Sequence, residues 1–241
     1  MNESTSVDFA WGREGAERLA PGIDAFVVVD VLCFCTTVEV AVARGAIIHP
    51  AADAAVAEAL ARSFGIERAQ RRGSGHYSLS PVSFREVPTG TSVVLPSPNG
   101  SAVCAAIGAG SAPFRGQACF AGCLRNASAV AEAAAAAGAR IGVIAAGERR
   151  PDGTLRKALE DEVGAGAIIA RIAATRTPAA AMAVEAFTTV RGDLARHIRH
   201  CPSGQELVAG GYAADVDWAA VLDISRTVPQ LIAGAFRARP R

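Results

Sequence analysis

The stretch AFVVVDVLCFCTTVEVAVARG (25–45) decides the fold. Its opening, AFVVVD (25–30), is short, β-branched and continuously apolar, as a strand buried on both faces must be. TTVEVAVARG (36–45) then reads as a helix that ends at Gly45. The same rhythm spreads outward. AIIHP (46–50) is a strand stopped by Pro50, and AADAAVAEALARSFG (51–65) is a helix with an early acid and a terminal glycine. IERAQ (66–70) reads as a short strand, RRGSGHYSLSP (71–81) as a loop, and TSVVLP (91–96) as a strand. A turn, SPNGS (97–101), opens a helix near 100–109. QACFAG (117–122) and RIGVIAAG (140–147) are strands on either side of the helix NASAVAEAAAAAGA (126–139). ERRPDGTLRK (148–157) is a polar loop before the helix ALEDEVGAGAIIARIAA (158–174), whose glycines permit close packing. From 178 onward the pattern is mainly helical, closing with an edge strand in TVPQLIAGAF (227–236).

Strands alternating with helices predict a three-layer α/β/α architecture around a largely parallel or mixed central sheet. No Pro/Ser linker, charge block or tandem repeat marks a boundary, so the expectation is one domain over residues 1–241. Of the 241 residues, 51% are hydrophobic and 20% charged, enough for a sizeable core and against disorder. The formal net charge is +1, with no basic stripe, so nucleic acid is not an expected partner. The apolar excess is mostly alanine and valine, and no stretch suits a membrane span. The start, MNESTSVDFAWGREG, lacks the basic and apolar regions of a signal peptide. A cytoplasmic protein is expected, with its six cysteines as thiols. The alanine-rich helices could pack a homodimer.

Ligands of open α/β sheets bind beyond the carboxyl ends of the strands, and polar clusters fall there. Asp30 closes AFVVVD and suits a metal ligand or an acid/base group, or a simple helix cap. Thr36 and Thr37 stand at a helix start, where free amides favour an anion. Asn99, Gly100 and Ser101 form a turn that could cradle an oxyanion or serve only as a turn. Arg125 could grip an oxyanion in a bidentate pair or lie solvated, and Asn126 suits a helix N-cap. Glu148 and Arg149 precede Glu160 and Asp161, adjacent acids about 100° apart on a helix. Two such carboxylates in an apolar setting need a partner or a metal, unless they form an exposed turn balancing Arg156 and Lys157. Cys33 and Cys35 could be nucleophiles at a helix start, though small buried thiols are the commoner outcome. Among the histidines, His76 is best placed to line a pocket.

In chain order, these pieces resemble the Mg²⁺-dependent 2-phosphosulfolactate phosphatases of coenzyme M biosynthesis. DVLCFCTTV (30–38) is similar to the family's D-V-L-R-A-T-T-T, LSP (79–81) to G-N-S-P, SPNGS to T-T-N-G-T, and LRNA (124–127) to L-R-N-A. GERRPDGTLRKALEDEVGAG (147–166) is close to G-E-R-W-P-D-G-S-L-R-P-x-x-E-D-x-x-G-A-G. SGQELVAGGYAADVDWAAVLDISRTVP (203–229) resembles the family's tail. The resemblance runs from about Val7 to Phe236. It implies a phosphatase acting on a small anionic phosphoester. Asp30, Glu160 and Asp161 would be the catalytic and Mg²⁺-holding carboxylates, with Glu148 in reserve. Thr36, Thr37, Asn99, Gly100, Ser101, Arg125, Asn126, Glu148 and Arg149 would contact substrate. The chain departs from the pattern at Cys33, which replaces an arginine, and at Cys35, Leu79, Ser97 and Pro98. Loss of one charge-assisted hydrogen bond costs ~1.5–3 kcal/mol. Arg71, Arg72, Arg125 or Arg149 could compensate. The alternative is a catalytically impaired relative that binds an anionic metabolite.

Overall fold

The computed structural model describes residues 5–239. Strand β1 (Ser6–Trp11) leads into helix α1 (Gly12–Leu19), and β2 (Ala25–Val29) into α2 (Phe34–Ala43). Next come β3 (Ile47–Ala51), α3 (Ala54–Phe64), β4 (Glu67–Arg68), β5 (Ser92–Pro96) and α4 (Gly100–Gly108). β6 (Ala118–Gly122), α5 (Ala127–Ala137) and β7 (Arg140–Ala145) precede a small hairpin of β8 (Glu148–Arg149) and β9 (Leu155–Arg156). α6 (Leu159–Ile169), β10 (Thr175–Arg176) and α7 (Pro178–Val190) follow. The chain continues through α8 (Leu194–His200), α9 (Pro202–Ala209) and α10 (Ala213–Ala219), and ends in β11 (Pro229–Ile232) and β12 (Ala235–Ala238).

Ten strands form one sheet in the order β10-β1-β7-β2-β6-β11-β12-β3-β5-β4. β10, β1, β7, β2 and β6 are mutually parallel, and so are β3, β5 and β4. The antiparallel hairpin β11–β12 joins these two blocks, touching β6 through Gln230↔Phe120 and β3 through Phe236↔Ile48. The sheet is therefore mixed, with helices on both faces. β2 shows why its sequence is apolar throughout. Ala25, Val27 and Val29 join the core beneath α5, α6 and α7, while Phe26 and Val28 join the opposite core with α1, α2 and α4. A strand covered on both faces has no polar side to show.

Local signals set several boundaries. Asp53 accepts the Val56 N–H at the start of α3, and Gly65 closes that helix in the left-handed region at φ 65°. Two expectations are corrected and one strand is added. TVPQLIAGAF is not an edge strand but supplies much of the central hairpin, turning at Ala233–Gly234. The loop expected over 148–157 contains the β8–β9 hairpin, paired Glu148↔Arg156 and Arg149↔Leu155. SVDFAW, unassigned from sequence, is an inner strand between β10 and β7.

Candidate active site

Asp30 stands one residue past β2, where two helices begin. Its Oδ1 accepts the Phe34 N–H at 3.0 Å, and its Oδ2 accepts the Gly100 N–H at 2.9 Å. One carboxylate thus joins the N-termini of α2 and α4, where helix dipoles favour negative charge. Gly100 is required for this approach: a Cβ there would lie 2.7 Å from Asp30 Oδ2 and 2.8 Å from Phe34 Cδ1. Asp30 therefore caps helices and also lines a cleft of about 290 Å³. Around it the cleft is lined by Cys33, Arg72, Asn99, Glu148 and Tyr212.

Asp161, on the first turn of α6, accepts the Val31 N–H at 2.7 Å and the Gly147 N–H at 2.9 Å. It thereby fastens the exits of β2 and β7 side by side. Glu148 follows at once and is held by Asn99, whose Nδ2 donates to Glu148 Oε2 at 3.0 Å. Asn99 Oδ1 in turn accepts the Arg149 N–H at 2.9 Å. Glu160 is 2% exposed, and its Oε2 has no hydrogen-bond partner among the described residues. A buried carboxylate oxygen left unmatched is costly unless something else meets it.

These acids feel one another. Burial pushes the Asp30 carboxyl up to about 7; the two amides oppose the rise, and the charges of Glu148 and Glu160 add to it. Asp161 is raised by burial, then by Asp30 and Glu160. Glu148 is raised by burial, with the Asn99 hydrogen bond opposing. Clustered acids of this kind mark functional sites more often than structural ones. Burial also drives the Cys33 and Cys35 thiols upward, so neither is a ready thiolate nucleophile.

Other residues named from sequence sit elsewhere. Thr36 and Thr37 are fully buried and donate to the carbonyls of Val31 at 2.8 Å and Cys33 at 2.7 Å. Ser101 Oγ links the carbonyl of Leu95 at 2.9 Å to the amide of Ala51 at 2.7 Å. Asn126 accepts the Cys123 N–H at 2.9 Å and donates to the carbonyls of Ala121 and Thr227, and it does not line the cleft. Arg149 pairs with Glu14 at 3.1 Å on the rim of an adjoining cleft. His76 is exposed beside Tyr77 and does not line the cleft.

Arg125 is the clearest displacement. Its Nε donates to buried Glu39 at 2.6 Å, its Nη1 donates to the Trp218 carbonyl at 3.0 Å, and its guanidinium lies 5.1 Å from the Trp218 ring centroid. It serves a buried acid within α2 and does not line the cleft. Arg125→Ala is expected to lose about 3 kcal/mol in urea unfolding, because it strands Glu39. KM for a phosphoester should stay unchanged; a raised KM with normal stability would return Arg125 to the substrate.

The residue that sequence reasoning underweights is Arg72. It lines the cleft, donates from Nε to Asp215 Oδ2 at 3.1 Å and lies 5.3 Å from the Tyr212 ring centroid. Ser80 Oγ donates to the other oxygen of Asp215 at 2.5 Å. Tyr212, Asp215 and the cleft residue Ser203 all fall in the block at 203–229, which carries a family signal without assigned roles. A larger groove of about 710 Å³, lined by Val42, Ala133, Arg226 and Arg239 among others, contains no buried carboxylate and is set aside.

A divalent cation fits part of this layout. No group of three or more His, Cys, Asp or Glu side chains among the described residues is arranged to hold a metal by itself. Mg²⁺, however, typically takes one or two carboxylates and completes its shell with waters and substrate phosphate oxygens. The cleft-lining Asp30 and Glu148 supply carboxylates in that number.

Acids at the carboxyl ends of parallel strands, facing a small cleft with one guanidinium, have the layout of an α/β enzyme site. The sequence model for 2-phosphosulpholactate phosphatase matches residues 16–234, and the chain belongs to that family, which makes it a phosphoric monoester hydrolase. None of the curated proteins matches the chain. No helix among the described residues is long and apolar enough to cross a membrane.

Proposed function

We propose that the chain is a Mg²⁺-dependent phosphatase for a small phosphorylated carboxylic or sulfonic acid such as 2-phosphosulfolactate. The observation that carries this reading is that Asp30 and Glu148 line one cleft, with the buried carboxylate of Glu160 close enough to act on both. Asp30 and Glu148, the two of these acids that line the cleft, would hold the cation, with the Glu160 charge supporting them from behind. When bound, Mg²⁺ supplies charge neutralisation at the phosphoryl group and polarises it toward attack by water. Asp161 has a positioning part: its two amide bonds keep the exits of β2 and β7 together, so that Asp30 and Glu148 face one cleft. Asn99 orients Glu148 through its side-chain amide. The closed contact between Asp30 and the α4 amide sets the cleft floor before substrate arrives, which lowers the cost of organising the site.

The test is phosphate release from 2-phosphosulfolactate and phospholactate across a Mg²⁺ titration. Saturable, Mg²⁺-dependent turnover is expected. Glu160→Gln should raise the Mg²⁺ concentration for half-maximal rate by at least ~10-fold. Tight binding of both esters without turnover would instead favour a relative that binds an anionic metabolite. An unchanged Mg²⁺ requirement in Glu160→Gln would remove Glu160 from the metal site.

A further inference from the structure

We propose that Arg72, fixed by Asp215, grips the acid group of the substrate that is not transferred, and that this pair decides which phosphoesters the cleft accepts. The proposal rests on the phosphatase reading above and deepens it. The cleft lining carries both signs of charge. Asp30, Glu148 and the more exposed Glu206 present carboxyls, with the Glu160 charge close enough to act on Asp30 and Glu148. Against them, Arg72 is the one lysine or arginine among the lining residues.

No hydrogen bond or ion pair joins Arg72 to the carboxylates of Asp30, Glu148 or Glu206; its guanidinium pairs through Nε with Asp215. Asp215 is 2% exposed, is held from its other side by Ser80, and so is a rigid anchor rather than a surface counter-ion. Tyr212 supports the same segment twice: its ring lies beneath the guanidinium, and its hydroxyl donates to the Arg72 carbonyl at 3.4 Å. A guanidinium held by an ion pair and an aromatic ring loses little freedom when it binds, which is the condition for selective recognition.

The charge balance indicates which group it takes. Asp215 already neutralises Arg72, so the pair offers N–H donors without net positive charge. A guanidinium carries five N–H donors, and the hydrogen bond to Asp215 engages only part of them. That suits a singly charged carboxylate or sulfonate better than a phosphoryl dianion. The dianion fits beside Asp30 and Glu148, where a cation would bring the compensating charge. With a cleft of about 290 Å³, both groups would sit on one short carbon skeleton.

The experiment compares phospholactate with isopropyl phosphate, which lacks the second acid group. Both are assayed with Mg²⁺ in the wild type and in Arg72→Gln/Asp215→Asn. The double variant replaces the ion pair by a hydrogen-bonded neutral pair of similar shape; Arg72→Gln alone serves if the double variant does not fold. KM for phospholactate is expected to rise ~10–100-fold with kcat within a few-fold, while both constants for isopropyl phosphate stay unchanged. Equal losses on both esters, or no change on either, would overturn the assignment. If the wild type hydrolyses neither ester, the phosphatase reading fails while the role of Arg72 is still decided by calorimetry with sulfolactate. Binding to the wild type that is lost in the variant supports it. Equal binding, or none, overturns it.

Discussion

Asp30→Asn is expected to lower kcat for 2-phosphosulfolactate about 10³-fold at saturating Mg²⁺, in the range that removal of one acid/base or charge-holding group typically costs. The substitution changes almost no volume and acts where three tasks meet. The new carboxamide would keep an oxygen for the Phe34 amide, but its NH₂ would then point at the Gly100 N–H, which now donates to Asp30 at 2.9 Å. A donor facing a donor pushes the start of α4 away and moves Asn99, and with it the Glu148 carboxylate. The lost negative charge weakens any cation site shared with Glu148 and Glu160. Steady-state kinetics over a Mg²⁺ series, with circular dichroism to confirm the fold, measures the result. Activity within tenfold of wild type would show that the chemistry lies away from Asp30.

The parts of this molecule that sequence shows plainly are those governed by local physics. A run such as AFVVVD can only be a strand covered twice, and Asp53 with Gly65 brackets α3 by capping chemistry alone. The glycines at 164 and 166 do mark a close approach, as their place in an apolar helix suggests. What approaches is protein: a Cβ on Gly164 would meet Val31, and one on Gly166 would meet the Ala183 carbonyl in α7. The central hairpin is less legible. β11 and β12 are four residues each and meet their outer neighbours through single residue pairs, so their place in the sheet depends on contacts far away in sequence.

The site divides along the same line. Strand ends announce Asp30, Asn99 and Glu148, because carboxyl ends of parallel strands are where polar residues collect. Partner choice is not announced. Arg125 and Arg72 look alike in sequence, yet one answers Glu39 and the other Asp215. A usable signal does exist for the first. Glu39 is the only charged residue in the apolar run FCTTVEVAVA, and a buried lone carboxylate there requires a cation from another element. Asp215, near Trp218 in α10, poses the same demand, and the loop arginine at 72 meets it.

The same buried acids predict an inverted pH dependence of stability. Unfolded, Asp30 titrates near its ordinary 3.8; folded, it keeps its proton to about 7. Between those values the folded state binds more protons than the unfolded chain, so stability falls as pH rises. The contribution is full below the unfolded value and is lost through about 7; Asp161 and Glu148 act in the same direction. Asp24 and Glu14 are lowered by Arg140 and by backbone hydrogen bonds respectively and oppose the trend, but both are solvent-screened; the half-buried His49, lowered by burial, opposes it within the same window and offsets part of the effect. From about pH 5 to about pH 8, Asp30 alone removes on the order of 3 kcal/mol. For a chain of this size that is roughly 6–12 °C in Tm. Mg²⁺ should reverse the trend, because its ligands must first shed protons. Scanning calorimetry is therefore expected to show a metal-free protein that melts lower at about pH 8 than at about pH 5, with a Mg²⁺-induced rise in Tm confined to the higher pH. Asp30→Asn should flatten both responses. A Tm that climbs with pH in the metal-free protein would mean that these carboxyls are ionised in the folded state without a cation, and the electrostatic case for a metal in this cleft would fall with it.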